Sequence, residues 1–141
     1  FDAVYRSELL VDAAPSVPVV VLDTVGELAS VYARAEAAFV GGSLVPIGGH
    51  NVLEPADAGR PVLYGPHTGN VGQPVEILEA AGGAVRVESG QDLGEAVAAL
   101  FANPEAARVR GEAGRLALAE HRGSVERSLA LIEAALADEA G

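Results

Sequence analysis

The sequence contains no cysteine, methionine, tryptophan or lysine, and its aromatic residues are three tyrosines and three phenylalanines. Without cysteine the chain can form neither disulfides nor thiolate metal sites, which agrees with a cytoplasmic protein. Half of the residues are nevertheless hydrophobic, so alanine, valine and leucine must fill the interior. At 141 residues the chain is long enough for one domain with a real core. Short aliphatic side chains in that core are typical of compact α/β layers.

Positive charge is scarce as well, since nine arginines face twenty acidic residues and the formal net charge is −11. Nucleic-acid binding depends on lysine and arginine contacts with phosphate, so this balance excludes a nucleic-acid partner. No apolar run approaches the roughly 20 residues that span a bilayer, and no signal peptide is visible. An anionic ligand would have to be held by local donors against the field of the whole domain.

Short, continuous apolar runs alternate with helical patterns along the chain. Such runs are typical of strands that are buried on both faces of a parallel sheet. They predict strands at residues 18–22, 37–41, 61–64 and 84–87. The alternation of strands and helices predicts that all four lie in one parallel sheet covered by helices.

Capping residues set the expected helix boundaries. Thr24, followed three residues later by Glu27, forms a capping-box pattern that predicts a helix from there to Arg34. Gly123-Ser124 is expected to end a later helix that starts after Asn103-Pro104. Further helices are predicted at residues 73–81, 91–102, 105–121 and from 125 onward, whereas residues 3–11 fit a strand or a short helix and residues 13–18 fit a loop.

The stretch from residue 39 to residue 70 carries most of the signs of a binding site. Two of its strands end in glycine turns, Gly41-Gly42-Ser43 and Gly65-Pro66-His67-Thr68, and the pair Gly48-Gly49 lies between them. In an open parallel sheet both turns would lie at the same edge, where such sheets bind ligands. Glycine lets the backbone approach a ligand closely, and a helix starting there offers N–H groups to an anion. A tight turn without a ligand explains the first turn equally well, but two glycine pairs favour a binding loop.

Four polar side chains in this stretch have more than one interpretation. Asn51 and Glu54 match an N-cap with its reciprocal glutamate, so helix capping alone could explain both. Glu54 could instead accept hydrogen bonds from the hydroxyls of a ribose. His50 and His67 lie in polar loops at strand ends and could donate to a phosphate or a carboxylate. Neither their spacing nor a carboxylate cluster supports a metal site.

Together these motifs resemble a known enzyme family. The glycine turns named above, with Gly48-Gly49-His50-Asn51 and Glu54-Pro55-Ala56 in this order and spacing, resemble the 3-deoxy-D-manno-octulosonic acid (Kdo) transferases of lipid A biosynthesis. Residues 23–28 resemble the same family's Asp-Thr-x-Gly-Glu-Leu segment. The resemblance runs from about Val20 to the C-terminus. It implies the Rossmann-like C-terminal half of a two-domain, B-type glycosyltransferase, with the N-terminal acceptor domain absent from residues 1–141.

The resemblance also implies a binding site for the donor CMP-Kdo. Glycine-turn donors and histidines would surround the phosphate and the Kdo carboxylate, Glu54 would bind the ribose, and Thr24 and Glu27 would face the base or the ribose. The expected donor-binding residues are Gly41, Gly42, Ser43, Gly48, Gly49, His50, Asn51, Glu54, Thr24, Glu27 and His67. No metal, cofactor or catalytic residue is expected here, because the family's general base belongs to the other domain.

The same resemblance implies the setting of the whole enzyme. Kdo would move from CMP-Kdo to a lipid A precursor in lipopolysaccharide biosynthesis, at the cytoplasmic face of the inner membrane. The missing domain would contact the acceptor and the membrane. The isolated domain is expected to be inactive, and its partly apolar exposed wall could self-associate. Two other interpretations remain open: another nucleotide-sugar enzyme of the same fold, such as a hexosyltransferase or a UDP-sugar 2-epimerase, and a non-catalytic anion-binding module.

Overall fold

The described residues form five strands and five α-helices, most of which alternate along the chain. The computed structural model describes residues 2–9 and 17–139, with side chains described as far as His121. The strands are β1 (Ala3–Tyr5), β2 (Val19–Val21), β3 (Ala38–Phe39), β4 (Val62–Tyr64) and β5 (Ala84–Arg86). The helices are α1 (Leu28–Tyr32), α2 (Leu53–Asp57), α3 (Gly72–Ala80), α4 (Gly90–Ala102) and α5 (Pro104–Glu139), and a 3-10 turn covers Arg6–Glu8.

All strand pairs are parallel, but they form two sheets. One sheet has the order β3-β4-β5, and β1 pairs with β2 in the other. The predicted α/β class with parallel strands flanked by helices is confirmed. The prediction of a single four-stranded sheet is wrong, because β2 pairs with β1 in the register Ala3↔Val19. A run of β-branched residues predicts an extended backbone and does not specify which strand lies beside it.

The central strand β4 is the most deeply buried element. Val62, Leu63 and Tyr64 are all at most 2% exposed, with β3 on one side and β5 on the other. The buried cluster around it is completed by apolar side chains before and within α2, within α3 and within α5, which are Val52, Ala56, Val75, Leu78 and Leu118. The carboxyl end of β4, where the second glycine turn begins, is therefore anchored in the core.

Helix α5 approaches the sheet closely because it carries glycines where it crosses two turns. A Cβ atom at Gly111 would lie 2.0 Å from the carbonyl oxygen of Gly59. A Cβ atom at Gly83 would lie 2.4 Å from the Cα atom of Gly114. Glycine inside a helix costs about 1 kcal/mol relative to alanine, and here the close packing of two backbones offsets that cost.

Two predicted helix boundaries are wrong. Helix α1 begins at Leu28, because the Thr24 hydroxyl donates to the Glu27 carboxylate instead of capping a helix. Helix α5 runs without interruption through Gly123-Ser124, since both residues keep the backbone N–H that the helix needs and neither forces a break. The loop expected at residues 13–16 and the apolar side chains expected beyond residue 124 lie outside what the structure describes. Over the described residues, none of the helices has the length and apolar character needed to cross a membrane.

Candidate functional site

The two glycine loops that follow β3 and β4 are bonded to each other through Ser43. The backbone N–H of Gly65 donates to the Ser43 hydroxyl at 2.8 Å, and the N–H of His67 donates to the Ser43 carbonyl at 2.9 Å. A Cβ atom at Gly65 would lie 2.4 Å from the Ser43 carbonyl oxygen, so only glycine allows this approach. The prediction that both turns lie at the same edge of the sheet is confirmed.

The Ser43 side chain faces the interior of this junction. The residue is 1% exposed, and its hydroxyl donates to the Val40 carbonyl and accepts from the Gly65 N–H. Both hydrogen-bonding roles of the hydroxyl are therefore filled by the backbone. The expectation that this hydroxyl contacts a phosphate or a sugar is corrected: Ser43 holds the two loops together.

The first loop, residues 41–50, also closes on itself. The N–H groups of Gly49 and His50 donate to the carbonyls of Gly42 and Gly41, at 3.0 and 3.2 Å. Gly42, Gly48 and Gly49 have positive φ angles of 71°, 102° and 76°, which side chains disfavour. The expected backbone cradle is corrected in one respect, because the N–H groups of Gly49 and His50 are used inside the loop.

A second junction between the loops is made by Asn70, which the sequence reasoning did not single out. Its backbone N–H donates to the Gly48 carbonyl at 3.1 Å, and its side-chain amide donates to the Ile47 carbonyl at 3.3 Å. A Cβ atom at Gly48 would lie 2.5 Å from the Asn70 amide nitrogen. The available signal was an asparagine after glycine, a pair typical of turns.

Both histidines are exposed beside these junctions. The His50 ring packs against Gly42: a Cβ atom added at Gly42 would lie 3.4 Å from both the Cδ2 and the Nε2 atom of His50. His67 lines an open cleft of about 420 Å³ together with Pro46, Ile47, Gly48, Pro66, Thr68 and Gly69. The two imidazole rings are thus exposed beside the junctions of the loops, and the hydroxyl-bearing Thr68 lines the same cleft as His67.

Asn51 and Glu54 lie at the start of α2, next to the first loop. The N–H of Leu53 donates to Asn51 Oδ1 at 2.9 Å, and Asn51 Nδ2 donates to Glu54 Oε1 at 2.9 Å. Asn51 thus accepts from the first residue of α2, but Val52 occupies the N-cap position and makes no side-chain cap hydrogen bond. Glu54 bonds the asparagine side chain and not a backbone N–H. Because α2 has only five residues, its dipole offers little to an anion.

Thr24 and Glu27 lie by the β1–β2 sheet. Besides the bond from Thr24, the Glu27 carboxylate pairs with Arg6 at 3.0 Å. The Thr24 hydrogen bond, followed by the charge of Arg6, lowers the pKa of Glu27. These contacts join β2 to the 3-10 turn and involve neither glycine loop. A role of Thr24 and Glu27 at the nucleotide stays a prediction.

A larger cavity lies elsewhere. It has a volume of about 830 Å³ between α4 and α5, and most of its lining is alanine, valine and leucine. It offers few groups that could orient a polar ligand, so the loops after β3 and β4 remain the candidate site. In the described parts of the chain, no three histidine, aspartate or glutamate side chains come together as metal ligands.

Comparison with known proteins identifies the relatives of this chain. The chain is 36% identical over 122 residues to the 3-deoxy-D-manno-octulosonic acid transferase of Bordetella pertussis, which covers 86% of this chain and 28% of the relative. It is 41% identical over 116 residues to the enzyme of the same name from Haemophilus influenzae, and this match covers 82% of this chain and 27% of the relative. The chain thus spans about a quarter of the length of these relatives. No protein-family model matches it.

A solved structure matches as well. It is the crystal structure of the C-terminal CMP-Kdo binding domain of WaaA from Acinetobacter baumannii, with a TM-score of 0.66 and 33% identity, covering 71% of this chain and 52% of the other. By its fold and by its relatives the chain is similar to an α/β domain of glycosyltransferases. Within that class it is a relative of the Kdo transferase family, which confirms the resemblance of its motifs.

Proposed function

We propose that this chain binds CMP-Kdo as the donor-binding part of a glycosyltransferase that moves Kdo to a lipid A precursor in lipopolysaccharide biosynthesis. The observation that carries the proposal is the match to the CMP-Kdo binding domain of WaaA at 33% identity. CMP-Kdo presents ribose hydroxyls and two anionic groups, the phosphate and the Kdo carboxylate. Exposed imidazoles and a carboxylate around the two loops suit that chemistry.

The anionic groups are assigned to the two histidines. Arg60 is the one arginine between residues 39 and 70, but it precedes β4 at the opposite end of the strand and donates to the Ala33 carbonyl. His67 lines the cleft and His50 lies on the neighbouring loop, so each can offer a ring N–H. Gly41, Gly42, Gly48, Gly49 and Ser43 shape the loops that carry these rings.

The acceptor site, the general base and the contact with the membrane are assigned to parts of the enzyme outside these 141 residues. The chain spans 28% and 27% of two relatives, which leaves ample sequence for an acceptor domain. Transfer needs the donor carbon, the acceptor hydroxyl and a base in alignment. The 141-residue chain is therefore proposed to bind the donor without transferring it, with the whole enzyme acting at the cytoplasmic face of the inner membrane.

A thermal-shift panel tests donor binding on the 141-residue chain. A ligand that binds only the folded state raises the melting temperature, and at equal concentration the tighter ligand raises it more. We expect CMP to raise it more than UDP, GDP or inorganic phosphate at equal concentration. A larger shift with UDP or GDP would point to another nucleotide-sugar enzyme, and a shift with phosphate equal to that with CMP would point to a general anion-binding module.

Glu54→Gln tests the proposed ribose contact. The amide keeps the length of the side chain but loses the charge that strengthens hydrogen bonds from hydroxyls. We expect CMP affinity, measured by calorimetry, to fall several-fold while stability changes by less than about 1 kcal/mol, as cap changes typically allow. Glu95→Gln, at an exposed position of α4, is the matched control. Equal CMP binding by Glu54→Gln and Glu95→Gln would assign Glu54 to capping alone.

A further inference from the structure

We infer that Asn51 is a positioning residue that orients Glu54 for a ribose, and that it thereby sets the preference of the site for ribonucleotides over 2′-deoxyribonucleotides. The inference rests on the proposed function, because it assumes that the ligand is a nucleotide. It differs from the sequence-based expectation, in which Asn51 itself donates to the phosphate or the Kdo carboxylate.

The chemistry of the Asn51 amide fixes its direction. The Leu53 N–H is a donor, so the atom that it meets at 2.9 Å must be the Asn51 oxygen. The amide nitrogen then points the other way, where it meets Glu54 Oε1 at 2.9 Å. One of the two N–H groups of the amide is therefore committed to the carboxylate, and only the other could serve a phosphate.

The same contact gives the Glu54 carboxylate a defined orientation. Glu54 is exposed, and an unrestrained glutamate at such a position samples several rotamers whose loss must be offset on binding. The bond from Asn51 restrains one carboxylate oxygen before the ligand arrives, and a preorganised group binds with a smaller entropic loss. The acceptor positions that remain on the carboxylate suit two neighbouring hydroxyls, as on a ribose.

Helix α1 packs against α2, the helix that carries Glu54. Burial, and after it the charge of Glu54, raises the pKa of the hydroxyl of Tyr32, the last residue of α1.

The test compares CMP with 2′-deoxy-CMP by calorimetry on the 141-residue chain. Asn51→Ser keeps an oxygen that can accept from the Leu53 N–H but removes the amide donor. Asn51→Asp keeps the acceptor and places a second negative charge beside Glu54. The matched control is Asn103→Ser, because Asn103 accepts from the Ala106 N–H at 3.1 Å at the start of α5, remote from the loops.

The wild-type chain is expected to bind CMP more tightly than 2′-deoxy-CMP. In Asn51→Ser the affinity for CMP should fall at least about threefold, the size of a modest hydrogen bond that loses its alignment, and the affinity for 2′-deoxy-CMP should fall less, because that nucleotide keeps only the 3′-hydroxyl. Asn51→Asp should lose as much or more, and Asn103→Ser should match the wild type. Loss of the preference in both Asn51 variants supports the inference, since a weakened cap would lower both affinities together.

Other outcomes overturn the inference in distinguishable ways. If Glu54→Gln abolishes the preference but Asn51→Ser keeps it, or weakens both nucleotides equally, Asn51 is a cap only and the proposed function stands. If the wild type prefers CMP over 2′-deoxy-CMP and Glu54→Gln has the same preference, residues other than Glu54 recognise the ribose. If the wild type binds no CMP, the proposed function fails together with the inference.

Discussion

Replacing Gly65 by alanine tests whether the junction of the two loops is as tight as the structure shows. The φ angle of Gly65 is not positive, so alanine can adopt the backbone conformation and the effect comes from contact alone. Its Cβ atom would lie 2.4 Å from the Ser43 carbonyl oxygen, 2.5 Å from the carbonyl carbon and 2.6 Å from the Leu44 nitrogen. All three are backbone atoms of a buried junction, so the strain cannot be relieved by turning a side chain.

The expected cost follows from these contacts. Overpacking a well-packed interior by one carbon costs about 1–3 kcal/mol. Separating the loops also stretches the bond from the Gly65 N–H to the Ser43 hydroxyl, and a hydrogen bond of this kind contributes about 1 kcal/mol net. We therefore expect Gly65→Ala to lower the free energy of unfolding by about 2–4 kcal/mol, a loss that most domains of this size survive.

Gly69→Ala is the matched control, because Gly69 lies in the same loop, has no positive φ and has nothing within 4 Å of an added Cβ atom. Both substitutions restrict the unfolded chain equally, so their difference isolates the folded-state contact. Urea unfolding followed by far-ultraviolet circular dichroism measures both, since the chain has no tryptophan. The reasoning is refuted if the two variants unfold at the same urea concentration, and CMP binding retained in full by a destabilised Gly65→Ala would separate the junction from the donor site.

Two further predictions concern stability. Gly111→Ala should destabilise the chain by about 1–3 kcal/mol, because the added Cβ atom would contact the Gly59 backbone. Gly94→Ala lies inside α4 with nothing within 4 Å of its added Cβ atom, and it should stabilise the chain by up to about 1 kcal/mol. Equal urea midpoints for the two variants would contradict the close packing of α5. The side-chain and then the backbone hydrogen bond from Ser7 lower the pKa of Asp23 in the folded state, so the unfolded state binds more protons as pH falls. The resulting stability is complete above the ordinary aspartate pKa and is lost below about pH 4, and Ser7→Ala should flatten that part of the profile of unfolding free energy against pH.

The sequence predicted the elements of the central sheet better than their surroundings. Strands β3, β4 and β5 appear where apolar runs are bounded by glycine, and the edge that carries both turns was correct. The pairing of Val19–Val21 with β1 was missed because a three-residue apolar run does not specify which strand lies beside it. That pairing is decided by the tertiary structure. The continuation of α5 through Gly123-Ser124 was missed because glycine weakens a helix without ending it.

The candidate site shows a similar division. The sequence predicted that the two glycine loops lie together, since glycine pairs at strand ends mark places where the backbone must turn or approach closely. It could not tell which polar groups the loops use for themselves. Ser43, Gly49 and His50 each form part of a glycine motif, yet the Ser43 hydroxyl and the N–H groups of the other two bond within the loops. Only the structure shows which acceptor each of these donors bonds.

This division explains why the motif is long although many of its polar groups bond within the loops. Three residues hold the two loops together through noncovalent contacts. They are Ser43 with its buried hydroxyl, Gly65 opposite it, and Asn70, which makes a second contact. Those residues fix where His50, His67 and Glu54 are presented, and a ligand would recognise the presented groups alone. Substitutions at the junction should therefore lower the affinity for every nucleotide and the free energy of unfolding together. Substitutions at Asn51 or Glu54 should instead change which nucleotide the chain prefers.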